Sequence, residues 1–236
     1  MQSLRGEAIR LEDVWVAYAG SGRPAIRNIN LRVNLGNLVL ITGPNGAGKT
    51  TLIETCLGLL KPIRGNAYLL GVNTRRREII KVRRLCSYVP QDFMKPPYET
   101  YTARRVIELG LASKESVFGI IPNDIRDYIL RIARTLRIGD ILDKPIGRLS
   151  GGQQQKVYIA RALVRRPKVI FLDEPFSSLD RDSRHIVAKT IHEYVHENEA
   201  CAVVVSHDVE PIKDLADLVV YMDNGTIVSM EEIGDV

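Results

Sequence analysis

A glycine-rich segment of eight residues has the composition and spacing of a phosphate-binding loop. It matches the pattern GxxxxGK[ST] at every position: Gly43-Pro44-Asn45-Gly46-Ala47-Gly48-Lys49-Thr50. Glycines let backbone N–H groups turn inward around phosphates, where a Cβ would collide. Lys49 supplies a compact positive charge, and the hydroxyl of Thr50 is suited to ligating Mg²⁺. We expect Thr51 to contribute to the same nucleotide site.

An apolar run that ends in two acidic residues supplies the carboxylates that a phosphate site needs. The run Val169-Ile170-Phe171-Leu172 leads directly into Asp173 and Glu174. Asp173 is the expected partner of Mg²⁺, and Glu174 is suited to act as the general base that polarises an attacking water. Together with the phosphate loop, these residues predict a chain that binds Mg²⁺ and ATP and hydrolyses the ATP.

The hydrophobic pattern predicts an α/β fold that positions both motifs. Alternating apolar residues at 9–16 and 26–33 indicate two strands of an N-terminal antiparallel β part. The short apolar runs at 38–41, 169–172 and 202–205 are typical of buried parallel strands. We expect helices from Lys49 to about Leu60, over 181–197 and over 209–216, and a hairpin turn at Asp223-Asn224-Gly225. Residues 92–165 have a mostly helical pattern, which indicates a helical insertion in the parallel-sheet core.

The segment Leu149-Ser150-Gly151-Gly152-Gln153 allows two interpretations. By spacing alone, Ser150 is a helix N-cap, but that leaves the two glycines unexplained. Two glycines before a helix also make an open N-terminus that can receive an anion. This segment and the motifs above closely resemble the ATP-binding cassette (ABC) family, whose signature is LSGGQ.

The resemblance extends over the whole chain and implies a single ABC ATPase domain at 1–236. Within it, residues 1–91 and 166–236 would form a P-loop NTPase core of the RecA-like type. Residues 92–165 would form a helical subdomain that carries the signature motif.

The resemblance also assigns roles to four further residues. Tyr18 lies where the family places an aromatic that stacks on adenine, although a surface tyrosine of a strand is the alternative. Gln91, in Tyr88-Val89-Pro90-Gln91, matches the glutamine that contacts Mg²⁺ and the attacking water. His207 matches the histidine that hydrogen-bonds the γ-phosphate, and Asp180 belongs to a loop that crosses between subunits.

Paired cassettes follow from the same resemblance. In the family, two cassettes associate head to tail, and the signature of each one caps the γ-phosphate held by the other. Ser150, Gly151, Gly152 and Gln153 would therefore contact nucleotide bound to a second subunit. Because this chain carries both half-sites, we expect a homodimer.

Two classes of function remain open from the sequence. The first is the ATPase subunit of a membrane transporter, and the second is a cassette ATPase of cell division, signalling or nucleic-acid maintenance. Repair and chromosome members insert long coiled coils, whereas Gln91 and Leu149 are 58 residues apart here without sustained heptads. Transport is therefore the favoured function, with integral-membrane permease subunits as partners and no nucleic acid. An uptake system would add a solute-binding protein.

The transported substrate is predicted from weaker similarities. The residues from Lys144 to Arg148 before LSGGQQQKV, and Asp173-Glu174-Pro175-Phe176, resemble cassettes of metal-cation importers. The stretch 92–98 lacks the Phe-Pro typical of those cassettes, so exporters and other uptake systems stay open. A metal cation is the leading expectation.

The bulk composition is consistent with a peripheral protein on the inner face of the cell membrane. The chain has 236 residues and a formal charge of +5, which is too mild to indicate nucleic acid. No apolar run approaches the roughly 18 residues of a membrane span. Three cysteines, an odd number without a CxxC pair, indicate a reducing compartment. The expected location is the cytoplasm, with attachment to the membrane through the permease.

Overall fold

Ten strands and six α-helices make up the fold in a computed structural model that describes residues 6–91, 99–112 and 121–233. In chain order the strands are β1 (Glu7–Val16), β2 (Ile26–Asn34), β3 (Leu38–Thr42), β4 (Arg64–Leu69), β5 (Val72–Asn73), β6 (Cys86–Val89), β7 (Val169–Asp173), β8 (Cys201–Val205), β9 (Leu218–Asp223) and β10 (Thr226–Glu232). The helices are α1 (Lys49–Cys56), α2 (Ile79–Arg83), α3 (Ala103–Glu108), α4 (Asn123–Thr135), α5 (Gly151–Val164) and α6 (Arg181–Glu197). Short 3-10 turns lie at Leu109–Leu111, Gly139–Ile141, Ile146–Arg148 and Lys213–Leu215.

An antiparallel sheet of four strands has the order β2-β1-β4-β5. Its first two strands are the pair that the alternating pattern predicts, because Ile29, Leu31 and Val33 of β2 are buried while the residues between them are exposed. The predicted N-terminal antiparallel part is therefore confirmed. Strands β4 and β5, which follow α1 in the chain, complete this sheet: β4 pairs with β1, and β5 pairs with β4.

The second sheet has six strands in the order β10-β9-β3-β8-β7-β6. All neighbours from β9 to β6 are parallel, and only the edge pair β9–β10 is antiparallel. Parallel pairing brings the carboxyl ends of β3, β7 and β8 to one edge, with Asp173 opposite Val205. The phosphate loop after β3, the acidic pair at the end of β7 and His207 after β8 therefore meet at this edge.

The central strands are buried on both faces, which explains why they appear in the sequence as continuous apolar runs. Alternate residues of each strand enter different cores. Leu40, Ile170 and Val204 pack with helices α3 to α6. Ile41 and Phe171 pack on the other face, with α1 and the antiparallel sheet.

One predicted helix boundary is wrong, and one predicted helix is confirmed. Helix α1 ends at Cys56 rather than near Leu60 because Gly58 adopts φ +67°. The amide of Leu59 then donates to the carbonyl of Glu54 at 2.8 Å, which closes the helix end. The helix predicted over 181–197 is α6 itself.

The helix predicted over 209–216 is absent from the structure, where only the 3-10 turn Lys213–Leu215 forms. Pro211 lies inside the predicted span. It has no N–H to donate and disfavours the helical conformation of the residue before it, so the chain turns instead of forming a helix.

The segment predicted as a helical insertion contains helices in its described part. Helices α3, α4 and α5 lie there, and α3 and α5 pack closely together. Residues 92–98 and 113–120 of this segment lie outside the described residues. The subdomain boundaries at 92 and 165 stay a prediction. Across the described ranges, no helix is long and apolar enough to cross a membrane.

Candidate active site

The phosphate loop is a tight turn between β3 and α1 that depends on two of its glycines. Gly43 has φ +141°, and a Cβ there would lie 1.9 Å from the carbonyl oxygen of Met222. Gly48 has φ +93°, and a Cβ there would lie 2.5 Å from Cγ2 of Ile26. Any side chain at these positions would therefore push the loop away from the adjoining strands. The loop ends at the N-terminus of α1, where free N–H groups and the helix dipole favour an anion.

Lys49 is a buried cation in the middle of this turn, with 7% of its surface exposed. Its Nζ donates to the carbonyl oxygens of Gly43 at 2.8 Å and Pro44 at 3.0 Å. A buried ammonium group needs such partners. These contacts hold the positive charge inside the loop, where phosphate oxygens would bind.

Two oxygen ligands from different elements lie beside the loop. The hydroxyl of Thr50, at the start of α1, donates to Oδ2 of Asp173, at the end of β7, over 2.7 Å. Asp173 is 2% exposed. Hydroxyl and carboxylate oxygens are the ligands that Mg²⁺ prefers, and Mg²⁺ is commonly held by one or two protein groups together with substrate phosphates. The residues present therefore fit a magnesium ion.

Glu174 and His207 form a hydrogen-bonded pair at the ends of β7 and β8. His207 Nδ1 lies 2.8 Å from Oε2 of Glu174, and the amide of His207 donates to Oε1 at 3.2 Å. The side chain of Glu174 is 7% exposed and that of His207 is 62% exposed. Glu174 also has φ +51°, which is uncommon for a residue other than glycine. Its amide donates to the carbonyl of Val205 at 2.8 Å, so adjacent strands hold this conformation.

Tyr18 lies at the outer side of the phosphate loop. Its hydroxyl lies 2.9 Å from the hydroxyl of Thr51, and 47% of the residue is exposed. Thr51 itself is buried in α1. The hydrogen bond holds the tyrosine hydroxyl against α1 while nearly half of the residue stays exposed.

These predicted residues converge on one pocket of about 730 Å³. Its lining consists of Tyr18, Ala25, Gly43, Pro44, Asn45, Gly46, Gly48, Lys49, Thr50, Thr51, Gln91, Asp173, Glu174 and His207. Ala47 is the loop residue that does not line it, because Ala47 is buried beneath the turn. Ala25 is a lining residue that sequence reasoning missed, since a small apolar residue before a strand carries no chemical signal.

The signature segment lies elsewhere. Ser150 caps α5 through a capping box, with the Gln153 amide donating to the Ser150 hydroxyl at 3.3 Å and the Ser150 amide donating to Gln153 Oε1 at 3.0 Å. A Cβ on Gly152 would lie 2.8 Å from the carbonyl oxygen of Ser178, so this glycine permits the first turn of α5 to pack against the loop at Ser178. Among the described residues, none of the segment 149–153 lines the pocket around Lys49.

Asp180 is also outside the pocket, and its carboxylate has a structural partner. It caps α6 by accepting hydrogen bonds from the Ser183 amide at 2.8 Å and the Ser183 hydroxyl at 2.9 Å. These two bonds lower the pKa of Asp180. Its predicted role in a nucleotide site between subunits stays a prediction.

Comparison with known proteins identifies the family. Residues 26–177 match the family model described as ABC transporter. The chain belongs to the ABC transporter family. The sequence prediction of an ATP-hydrolysing ABC subunit is therefore confirmed.

Individual relatives agree with this family. The chain is 31% identical to the high-affinity zinc uptake system ATP-binding protein ZnuC of Bacillus subtilis, over 92% of this chain and 91% of that protein. It is 32% identical to a putative ABC transporter ATP-binding protein of Streptomyces avermitilis over 91% of this chain, but spans only 38% of that longer protein.

A solved structure has the same fold. It is the ATP-binding cassette MJ0796, a dimer in a post-hydrolysis state bound to ADP and phosphate, with a TM-score of 0.84 and 28% identity. The match covers 97% of this chain and all of that one. The predicted P-loop α/β fold is confirmed.

Proposed function

We propose that this chain powers solute transport through a membrane permease by hydrolysing Mg·ATP in the pocket around Lys49 and Glu174. Each pocket would be completed by the signature segment of a second copy. The observation that carries the proposal is the buried Glu174 carboxylate, hydrogen-bonded to His207 in the same pocket as Lys49. Ser150 lies outside that pocket, which supports its action on a partner subunit.

The residues of the pocket would have different roles in hydrolysis. Lys49 and the loop amides would hold the β- and γ-phosphates, while the accessible ring of Tyr18 would stack on adenine. Glu174 would accept a proton from the attacking water, because its buried carboxylate lies at the same strand edge as the phosphate loop. His207 would orient that carboxylate and contact the γ-phosphate.

Thr50, Asp173 and Gln91 would hold the magnesium ion. The ion supplies a positive charge that offsets the charge of the phosphates. The hydrogen bond between Thr50 and Asp173 already places both oxygens at one point of the pocket. Gln91 lines the same pocket.

A second cavity supports coupling to a permease. It has a volume of about 290 Å³ and lies between α1, β6 and α5, close in the chain to Gln91. Apolar and basic side chains line it together, including Leu57, Leu59, Arg83, Tyr88 and Arg161. Leu59 is 51% exposed, and an apolar side chain bound in the cavity would cover it. We assign this cavity to a segment of the permease.

The proposed cargo is a metal cation taken up with the help of a solute-binding protein, and the proposed location is the cytoplasmic face of the membrane. The match to ZnuC over 91% of its length supports this substrate class. Uptake assays on the chain reconstituted with its permease would test it. Accumulation of Zn²⁺ or Mn²⁺ is expected, and ATP-dependent uptake of an anion such as sulfate alone would contradict it.

Replacement of the general base tests the catalytic proposal. Glu174→Gln removes the proton acceptor but keeps the shape, so hydrolysis should fall at least about 100-fold while ATP binding persists. ATP should then trap the variant as a dimer, measurable by light scattering during size exclusion.

Glu231→Gln is the matched control, since it makes the same change on the exposed surface of β10 and should leave hydrolysis unchanged. Undiminished hydrolysis by Glu174→Gln would exclude Glu174 as the general base. A variant that stays monomeric with bound ATP would exclude the shared site.

A further inference from the structure

The sequence of α6 contains a pair of histidines one helical turn apart. The segment His192-Glu193-Tyr194-Val195-His196 matches the pattern HExxH, in which both histidines lie on one face of a helix. In the structure the two rings are neighbours, with centroids 4.3 Å apart and an interplanar angle of 60°. Neither His192 nor His196 lines the ATP pocket.

The separation of the two rings suits a shared metal ion. Zinc–nitrogen bonds are about 2.0–2.1 Å long, so two imidazoles on one ion have centroids roughly 5 Å apart. A small adjustment of the side-chain torsions would close the remaining difference. Imidazole is a preferred ligand of Zn²⁺, Ni²⁺ and Cu²⁺ and a poor ligand of Mg²⁺, which prefers oxygen.

The two histidines lie on a part of α6 that buried neighbours hold against the core. Tyr194 and Val195 are buried in the core, which anchors the segment, whereas His192 is half-buried and His196 is exposed. Asp217 and Glu193 lie close enough to act on the charge of His192.

We propose that His192 and His196 form a surface site for a divalent transition-metal ion of the zinc, nickel and copper class. Two ring nitrogens would bind the ion, and water would occupy its remaining positions. The site is separate from the ATP pocket and does not depend on the identity of the transported solute.

The same geometry argues against a peptidase, although HExxH is a pattern of zinc peptidases. In those enzymes a third protein ligand completes the site and the glutamate is the general base. Here Glu193 pairs with Lys189 at 3.6 Å. In the part of the chain that the structure describes, no group of three or more His, Cys, Asp and Glu side chains could hold a metal. The site can bind an ion but is not built for hydrolysis.

Titration of the nucleotide-free chain with ZnCl₂ in excess Mg²⁺, followed by isothermal calorimetry, tests the proposal. The chain has four histidines, so single His→Gln variants cover them all. We expect one zinc site whose Kd rises at least about tenfold in His196→Gln and in His192→Gln, because each loses half of the protein ligands. His196 is exposed, so its replacement should leave the fold intact even if the half-buried His192 does not tolerate change.

The matched control is His185→Gln, an exposed histidine of the same helix, which should bind zinc like the unaltered chain. Cu²⁺ added to the unaltered chain should give an electron paramagnetic resonance spectrum with two coordinated nitrogens. If only His207→Gln lost zinc binding, the zinc site would be at the Glu174–His207 pair, and the proposal would be overturned. Unchanged zinc affinity in His196→Gln would show that the two histidines only contact each other through their rings, and this result would also overturn the proposal.

Discussion

At the scale of single residues, the backbone conformation of Glu174 sets the position of its carboxylate. Its positive φ turns the residue at the end of β7, and the amide bond to Val205 fixes it there. Such conformations cost of order 1–3 kcal/mol and persist where the surrounding structure enforces them. The side chain then accepts hydrogen bonds from both the amide and the ring of His207. The hydrogen bond from the His207 amide holds one carboxylate oxygen, and the ring holds the other, so both are needed to fix the carboxylate.

Removal of the His207 ring should therefore slow catalysis without abolishing ATP binding. In His207→Ala the amide donor to Glu174 remains, but the ring donor at 2.8 Å is lost. We expect kcat to fall about 100-fold with little change in KM, as for the loss of one oriented hydrogen-bond donor. Steady-state hydrolysis assays measure both constants. A large rise in KM at unchanged kcat would assign the ring to ATP binding alone.

The cysteines should be unreactive in the folded protein. Cys56, Cys86 and Cys201 are at most 3% exposed. Burial raises the pKa of Cys56 and of Cys86 to about 12, and it raises the pKa of Cys201 as well. Since the thiolate is the nucleophile, a thiol reagent at pH 8 should label none of them before unfolding and all three in guanidinium. Rapid labelling of the native chain would show that one of these sites opens.

Single residues were predictable from sequence where their chemistry is specific. Lys49 has a fixed place after the loop glycines, and Asp173 and Glu174 directly follow an apolar strand. Sequence alone therefore predicts that these three charged residues share a pocket, and they do. Ala25 contributes only its small size and its position, which depends on the fold. Asp180 shows the complementary case, because its carboxylate caps α6 and no spacing rule separates a cap from a ligand.

At the scale of elements, α5 combines a structural role with the proposed catalytic one. Ser150 begins the helix by a capping box, and such a cap contributes about 1 kcal/mol. The hydroxyl that caps the helix is the group proposed to approach a partner's nucleotide. Stability and catalysis can be separated by comparison with another cap in the same chain.

Ser150→Ala should lower the free energy of unfolding by about 1 kcal/mol and also reduce hydrolysis. Thr102→Ala is the matched control, because the Thr102 hydroxyl accepts from the Arg105 amide at 3.2 Å at the start of α3, away from the pocket. Both variants should lose similar stability in denaturant titrations, whereas only Ser150→Ala should lose activity. Equal activity losses would make the Ser150 hydroxyl a cap and nothing more.

Elements were predictable where the local pattern has one solution. The apolar runs of β3, β7 and β8 and the long periodic pattern of α6 fall where sequence placed them. Strand β6 was not predicted, since it has only four residues and includes the polar Ser87, which is satisfied by the carbonyl of Ala162 on α5. That partner is 75 residues away, so no local pattern reveals it.

On the scale of the whole molecule, we propose that one chain carries two half-sites, and within the described residues these do not meet. The phosphate loop and the carboxyl ends of β7 and β8 build one half at an edge of the parallel sheet. The signature at the start of α5 would build the other, and it packs against the loop at Ser178 without lining the pocket. Two copies related by a two-fold axis would place each half opposite its complement, as an isologous interface does.

Mixed dimers provide the sharpest test of this arrangement. Lys49→Ala damages the phosphate loop and leaves the signature intact, whereas Ser150→Asp keeps a cap but places a negative charge where the partner's phosphate would lie. Each variant alone should form inactive dimers. A mixed dimer would combine the intact loop of the Ser150→Asp chain with the intact signature of the Lys49→Ala chain.

Mixing the two inactive proteins in equal amounts should therefore restore hydrolysis. Random exchange makes half of the dimers mixed, each with one intact site of two, so about a quarter of the unaltered rate is expected if sites act independently. Subunit exchange can be followed by fluorescence transfer in the same samples. If each chain completed its own site, every site in the mixture would carry one of the two defects. Mixed dimers that form but stay inactive would then show that the signature acts within its own chain.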